Sequence, residues 1–101
     1  MAAGGHYTGK PRPALVVQSD LFLDLESVAL CLLSSDLVQA PLLRLTLEPS
    51  PDNGLAQTCQ VMVDKLVTVP RGNVGSRTGT VDDETLVRVD RSLALFLGIA
   101  Q

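Results

Sequence analysis

Residues 82–98, DDETLVRVDRSLALFLG, are the one stretch of this 101-residue chain whose apolar residues recur at helical spacing. Leu86, Val89, Leu93, Phe96 and Leu97 fall on a single stripe, while Arg88 and Arg91 fall off it. Asp82 is placed to cap the first turn with its carboxylate. Asp83 and Glu84 follow, where the positive end of the helix dipole favours negative charge. Gly98 supplies the stop. The spacing predicts a helix over 82–98.

Upstream of that helix the pattern is different. Pro13–Gln18 and Val28–Leu33 are short apolar runs that read as buried strands, with Pro13 tolerable only at the start of its strand. Leu42–Glu48 alternates, with Leu43, Leu45 and Leu47 on one face and Arg44, Thr46 and Glu48 on the other, so it reads as a half-exposed strand. Pro49–Gly54 is dense in turn formers, and Asn53-Gly54 suits positive φ. A strand over Gln60–Val69, bent near Asp64, and a short one over Thr78–Val81 complete the set. Residues 1–11, rich in glycine and polar groups, read as a loop. Strands this close together leave no room for helical crossovers, so the sheet is expected to be antiparallel. The fold class is therefore α+β: one domain over 1–101, a small curled antiparallel sheet or barrel carrying a packed C-terminal helix.

Composition narrows the function. The chain is 46% hydrophobic with only three aromatic residues, Tyr7, Phe22 and Phe96, so its core must be built from Leu and Val. A short chain this apolar is expected to cover part of its surface in an oligomer. A net charge of −3 argues against binding nucleic acid by bulk electrostatics. It leaves room for a local basic groove drawn from Lys10, Arg12, Lys65, Arg71 and Arg77. Cys31 and Cys59 have neither disulfide-like nor metal-ligand spacing, which points to buried reduced thiols in a cytoplasmic protein and to no metal or cofactor. The apolar runs are too short to span a membrane, and no signal peptide opens the chain.

No P-loop, nucleophile elbow, zinc helix or CxxC motif is present. What remains is a pair of strand-end signals. Lys10-Pro-Arg-Pro13 puts a stiffened basic cluster before one buried strand. Ser34-Ser-Asp36 closes the next. If those strands pair, Arg12 and Ser34 lie at the same edge of the sheet, and a fixed guanidinium beside a hydroxyl suits a phosphate. The same residues also read as a stiff loop and an ordinary turn.

Taken in series, Gly9–Asp20 (GKPRPALVVQSD), Leu32–Leu37 (LLSSDL), Gln60–Leu66 (QVMVDKL) and Leu93–Ile99 (LALFLGI) resemble the MazF/PemK family of toxin–antitoxin ribonucleases over roughly residues 4–100. The resemblance implies an SH3-like curled sheet with a C-terminal helix, a homodimer, and a groove for single-stranded RNA across the interface. It implies metal-independent cleavage that leaves a 2′,3′-cyclic phosphate and a 5′-hydroxyl. It places the family's catalytic arginine on Arg12 and its catalytic threonine on Ser34, a change that keeps the hydroxyl and loses a methyl group. A small polar residue of the family falls on Cys59, which bonds more weakly.

His6 and Asp64 are the nearest matches to a histidine and an acidic residue used by some PemK-type members. Lys10, Gln60 and Arg77 complete the candidates for catalysis or RNA binding. Asp64 reads as a general base or, preferably, as the structural partner of Lys65 or Arg71. The resemblance also implies a cognate antitoxin whose acidic tail covers Arg12 and the RNA groove.

Two alternatives belong to other classes. A gyrase poison of the CcdB type shares this fold, but its terminal Trp-Gly-Ile is here Leu97-Gly-Ile99 in a chain without Trp. The other is an inactive, truncated relic that only binds antitoxin. Family members open with a strand ahead of the glycine-rich loop, here Gly4-Gly5. This chain is expected to lack that strand and to leave the edge of the Pro13–Gln18 strand unpaired, which a start internal to a longer reading frame would explain.

Overall fold

Alternation in the segment after residue 43 sorts the sheet into two faces. Leu45 and Leu47 are buried, while Thr46 between them is exposed and Arg44 ahead of them is half-buried, as a pleated strand requires. The computed structural model describes residues 2–7, 10–22 and 24–99, with side chains from Arg12 onward. Its strands are β1 (Ala2–Tyr7), β2 (Lys10–Val16), β3 (Ser27–Ser34), β4 (Arg44–Leu47), β5 (Cys59–Pro70) and β6 (Val74–Gly79). A helix, α1 (Asp83–Phe96), follows, and short 3-10 turns occupy Asp20–Phe22 and Arg71–Asn73. The strands form one sheet in the order β4-β5-β3-β2-β1-β6, and every neighbouring pair is antiparallel.

One face of the sheet carries the main core. Leu15, Cys31, Leu33, Leu45, Leu47, Val61 and Val63 pack there against Val89 of α1, which is fully buried. Ala14, Leu30 and Val69 form a smaller cluster. Leu86 and Leu93 are half-buried beside Val89, as the stripe predicts. Phe96 and Leu97 are not covered: they stay 46% and 52% exposed, and with Leu95 and Ile99 they leave the end of the helix apolar and open.

The helix ends are those the sequence specifies. The Asp82 carboxylate accepts the Thr85 N–H at 2.8 Å. At the other end Gly98 takes φ +76°, its N–H donates to Leu95, and the Ile99 N–H reaches the Ala94 carbonyl at 2.8 Å.

β5 bends where expected. Cys31 pairs with Leu66 and Leu33 with Val61, so two steps along β3 face five along β5. Val63 and Leu66, three apart instead of two, therefore both turn toward the main core, and the surplus falls at Asp64-Lys65.

Three expectations are corrected here. Within the segment 1–11 read as a loop, Ala2–Tyr7 is a strand and β2 begins at Lys10, with Gly5 level with Arg12. The edge of β2 expected to stand unpaired is thus taken by β1, which is itself flanked by β6 through Ala2↔Gly79, Ala3↔Arg77 and Gly5↔Val74. Glycine has low strand propensity, so Gly4-Gly5 hid this strand; pairing on both sides imposes it. The last strand also lies earlier than Thr78–Val81, ending at Gly79.

The sheet's two outer strands do not stay apart. The loop leaving β4 runs over the exit of β6, where the Thr80 N–H donates to the Asp52 carbonyl at 2.8 Å. A Cβ on Gly79 would lie 2.5 Å from the Asp52 carbonyl oxygen, and one on Gly54, at φ +68°, would strike the Thr78 carbonyl. Two glycines at this seam let backbone approach backbone and curl the sheet toward a barrel.

Candidate functional site

The β2–β3 ladder runs Ala14↔Leu32, Leu15↔Cys31, Val16↔Leu30. Extended by two residues, the same register brings Arg12 level with Ser34. Ser34 is in turn paired with Gln60 of β5, and Gln60 with Thr46 of β4. Ser34, Gln60 and Thr46 therefore form one row across the sheet, and Arg12 continues it where the β2–β3 register is carried two residues past its last pair. Its neighbours Leu33, Val61 and Leu45 point into the main core, so the row points the other way.

Arg12 is exposed, and among the described residues nothing pairs with it. Gly5, opposite it in β1, has no side chain to cover the guanidinium. Ser34 is half-buried, and its Oγ accepts the Asp36 N–H at 3.1 Å. That bond occupies a lone pair and leaves the hydroxyl hydrogen free to be donated. A cation and an aimed donor at one level suit an anionic oxygen.

Gln60 is only 5% exposed. Its Nε2 donates to the Val38 carbonyl at 3.1 Å and to Thr46 Oγ1 at 3.3 Å, while its Oε1 accepts the Val38 N–H at 3.0 Å. Both amide hydrogens are thus committed within the protein. Asp64 is held bidentately by Arg44, with Nε to Oδ1 at 2.9 Å and Nη2 to Oδ2 at 3.1 Å. The expected structural role fits, but the partner is Arg44, not Lys65 or Arg71. Hydrogen bonding from Arg44 is the main influence holding the Asp64 carboxyl below its ordinary value, and this weakens it as a proton acceptor.

The broad basic groove does not assemble as a whole. Arg71 Nε donates to the Leu25 carbonyl at 2.8 Å, next to the Ser27↔Pro70 end of β3. That is about 23 Å along the strand from Ser34 at ~3.3 Å per residue. Arg77 lies in β6 level with Ala3 and is itself engaged. His6 and Lys10 lie in β1 and β2, with side chains outside the described residues. Cys59 faces the core, its thiol toward the Gln57 carbonyl at 3.4 Å, and burial pushes it up from its ordinary value; it is not part of the row.

Sequence reasoning missed Arg44 and Thr46. The alternation of 42–48 had already set them on the polar face, and only the β4–β5 register was needed to connect them to Asp64 and Gln60. With Val38 and Arg88 they line a cleft of about 240 Å³ beside the row. Among the described residues no group of three or more His, Cys, Asp or Glu could hold a metal ion, and no helix is long and apolar enough to cross a membrane.

A curled antiparallel sheet with a C-terminal helix is the fold of the MazF toxins. The family model for the PemK-like, MazF-like toxins of type II toxin–antitoxin systems matches residues 1–97, and the chain belongs to that family. It is 46% identical over 99 residues to a probable endoribonuclease MazF of Mycolicibacterium smegmatis, covering 98% of this chain and 91% of that protein. Among solved structures it superposes on the Mycobacterium tuberculosis toxin MazF-mt6 with TM-score 0.86 at 16% identity, covering 99% and 98% of the two chains. A MazE–MazF structure from Deinococcus radiodurans gives TM-score 0.79 at 20% identity, over 98% and 92%. These matches favour the MazF type over the gyrase poison. With β2 paired on both edges, the structural ground for an inactive relic is removed.

Proposed function

We propose that this chain is the toxin of a type II toxin–antitoxin pair, an endoribonuclease that cuts single-stranded RNA at the Arg12–Ser34 row. The observation that carries the proposal is the placement of an exposed Arg12, with no partner among the described residues, toward the level of a Ser34 hydroxyl whose oxygen accepts the Asp36 N–H. In the reaction the 2′-hydroxyl attacks the adjacent phosphorus and gives up its proton. The bond to the 5′-oxygen breaks and that oxygen takes up a proton, leaving a 2′,3′-cyclic phosphate and a 5′-hydroxyl. Charge on the phosphorane oxygens is what the site must neutralise.

Arg12, always cationic, stabilises that charge with its planar fork of donors. Ser34 donates to a phosphate oxygen and holds the phosphate in line for attack. Asp64 acts on the fold and not as the base. Single strands are the substrate because the in-line geometry and the reading of base edges both need unstacked nucleotides.

Two copies associate, and the open apolar end of α1, with Leu95, Phe96, Leu97 and Ile99 exposed, supports this. An antitoxin encoded alongside lays an acidic, partly apolar tail over the row, replacing phosphate at Arg12. The toxin acts in the cytoplasm, where its messenger substrates are translated.

The test is cleavage of a defined RNA by purified chain. Arg12→Ala is expected to lower the rate by about 10²–10³-fold while circular dichroism and melting stay unchanged, and Ser34→Ala by about 10²-fold. Undiminished cleavage by Arg12→Ala would remove the row from the mechanism.

A further inference from the structure

We infer that Gln60 is a positioning residue for Ser34, acting through the main chain of the turn that follows Ser34 and making no contact with RNA. The inference rests on the ribonuclease reading of the Arg12–Ser34 row.

Ser34 ends β3 and opens a turn that has little to hold it. Residues 35–39 are all exposed, and the apolar side chains among them, Leu37 and Val38, are 55% and 47% exposed. Burial therefore does not fix this turn. Gln60 does, from both ends. Its main chain is level with Ser34 in the β3–β5 ladder. Its side-chain amide meets Val38 as a neighbouring strand would, accepting the N–H at 3.0 Å and donating to the carbonyl at 3.1 Å. The second amide hydrogen goes to Thr46 Oγ1, which orients the amide plane. Within the turn so held, the Asp36 N–H sets the direction of the Ser34 oxygen.

Release of Val38 would free Asp36 to move, and with it the hydrogen bond that aims the Ser34 hydroxyl. Catalytic geometry is sensitive on this scale: a displacement of ~1 Å can lower a rate by about 10²-fold. Being buried with both hydrogens used, Gln60 has nothing left to donate to a nucleotide.

The experiment uses the whole chain and a short RNA with one cut site. Gln60→Leu removes the clamp. Gln60→Glu keeps the shape but turns a carboxylate oxygen toward the Val38 carbonyl. Expected for both at neutral pH is a kcat lower by about 10–100-fold with KM within about twofold. For Gln60→Glu the ratio of variant to unsubstituted kcat should recover as pH falls into the carboxyl range, where protonation restores a donor.

Amide hydrogen exchange separates local from global effects. In Gln60→Leu the Val38 amide should lose protection while those of Val61 and Val63 keep theirs. A raised KM with unchanged kcat would overturn the inference in favour of direct RNA contact. So would full cleavage with an unprotected Val38, or loss of protection at Val61 and Val38 together. If the unsubstituted chain itself cleaves no RNA, the ribonuclease reading fails, an outcome distinct from cleavage that survives both substitutions.

Discussion

The Asp64 carboxylate is gripped on both oxygens by Arg44, and its side chain is only 24% exposed. That geometry fixes its pH behaviour. Its folded value lies below the ordinary one, so the pair stabilises the protein above an unfolded value of ~3.9, and this contribution is lost as pH falls through the folded value. A partly buried bidentate pair contributes about 1 kcal/mol. Asp64→Asn should therefore melt below the unsubstituted chain at neutral pH, with the gap closing under acid below pH ~4, and should still cleave RNA. A variant that folds but cleaves nothing would restore Asp64 as the base. In the sequence Asp64 was visible as a bend in its strand and as a structural charge, yet its partner was not. Arg44 and Asp64 are 20 residues apart, and the β4–β5 register alone brings them together. Gln60 was hidden more deeply, because its partner is the main chain of Val38, and main-chain groups leave no mark in a sequence.

At the scale of elements, the helix was legible to within a residue or two because its signals are local. A cap, acidic residues in the first turn, a stripe and a terminal glycine all sit within one stretch. The terminal glycine gives a prediction that separates conformation from packing. Gly98 adopts φ +76° with open space around a hypothetical Cβ. Gly98→Ala should cost about 1 kcal/mol through backbone conformation alone, read as a small fall in melting temperature, and Gly98→Asn should cost less. Equal stability of all three would mean the helix end has another way to stop. β1 was illegible for the opposite reason. Gly4-Gly5 shows no alternation, and the strand exists because β2 and β6 each offer it a ladder. The antiparallel pairing of the β2 and β3 runs was legible because both are apolar and close in sequence, and that pairing is what directs Arg12 toward the level of Ser34.

At the scale of the molecule, the seam between the β4–β5 loop and the exit of β6 joins the two borders of the sheet. Gly79→Val and Gly54→Ala should both lower the melting temperature strongly, because a Cβ at either site meets main chain that cannot move aside alone. Gly72→Ala, with nothing within 4 Å of the added carbon, should be nearly silent. Similar losses at all three positions would mean the seam has no special part in stability. The pairing of β1 with β6 has a further consequence, for the moment of synthesis. On that edge residue 2 must find residue 79, a contact of long sequence separation. A ribosome supplies the β2 partner of β1 early but has made most of the chain before β6, its second partner, exists, so the sheet closes on that side only late in synthesis. The last border of the sheet to form thus joins the first residues made to some of the last, and an early stop in translation leaves β1 with one free edge.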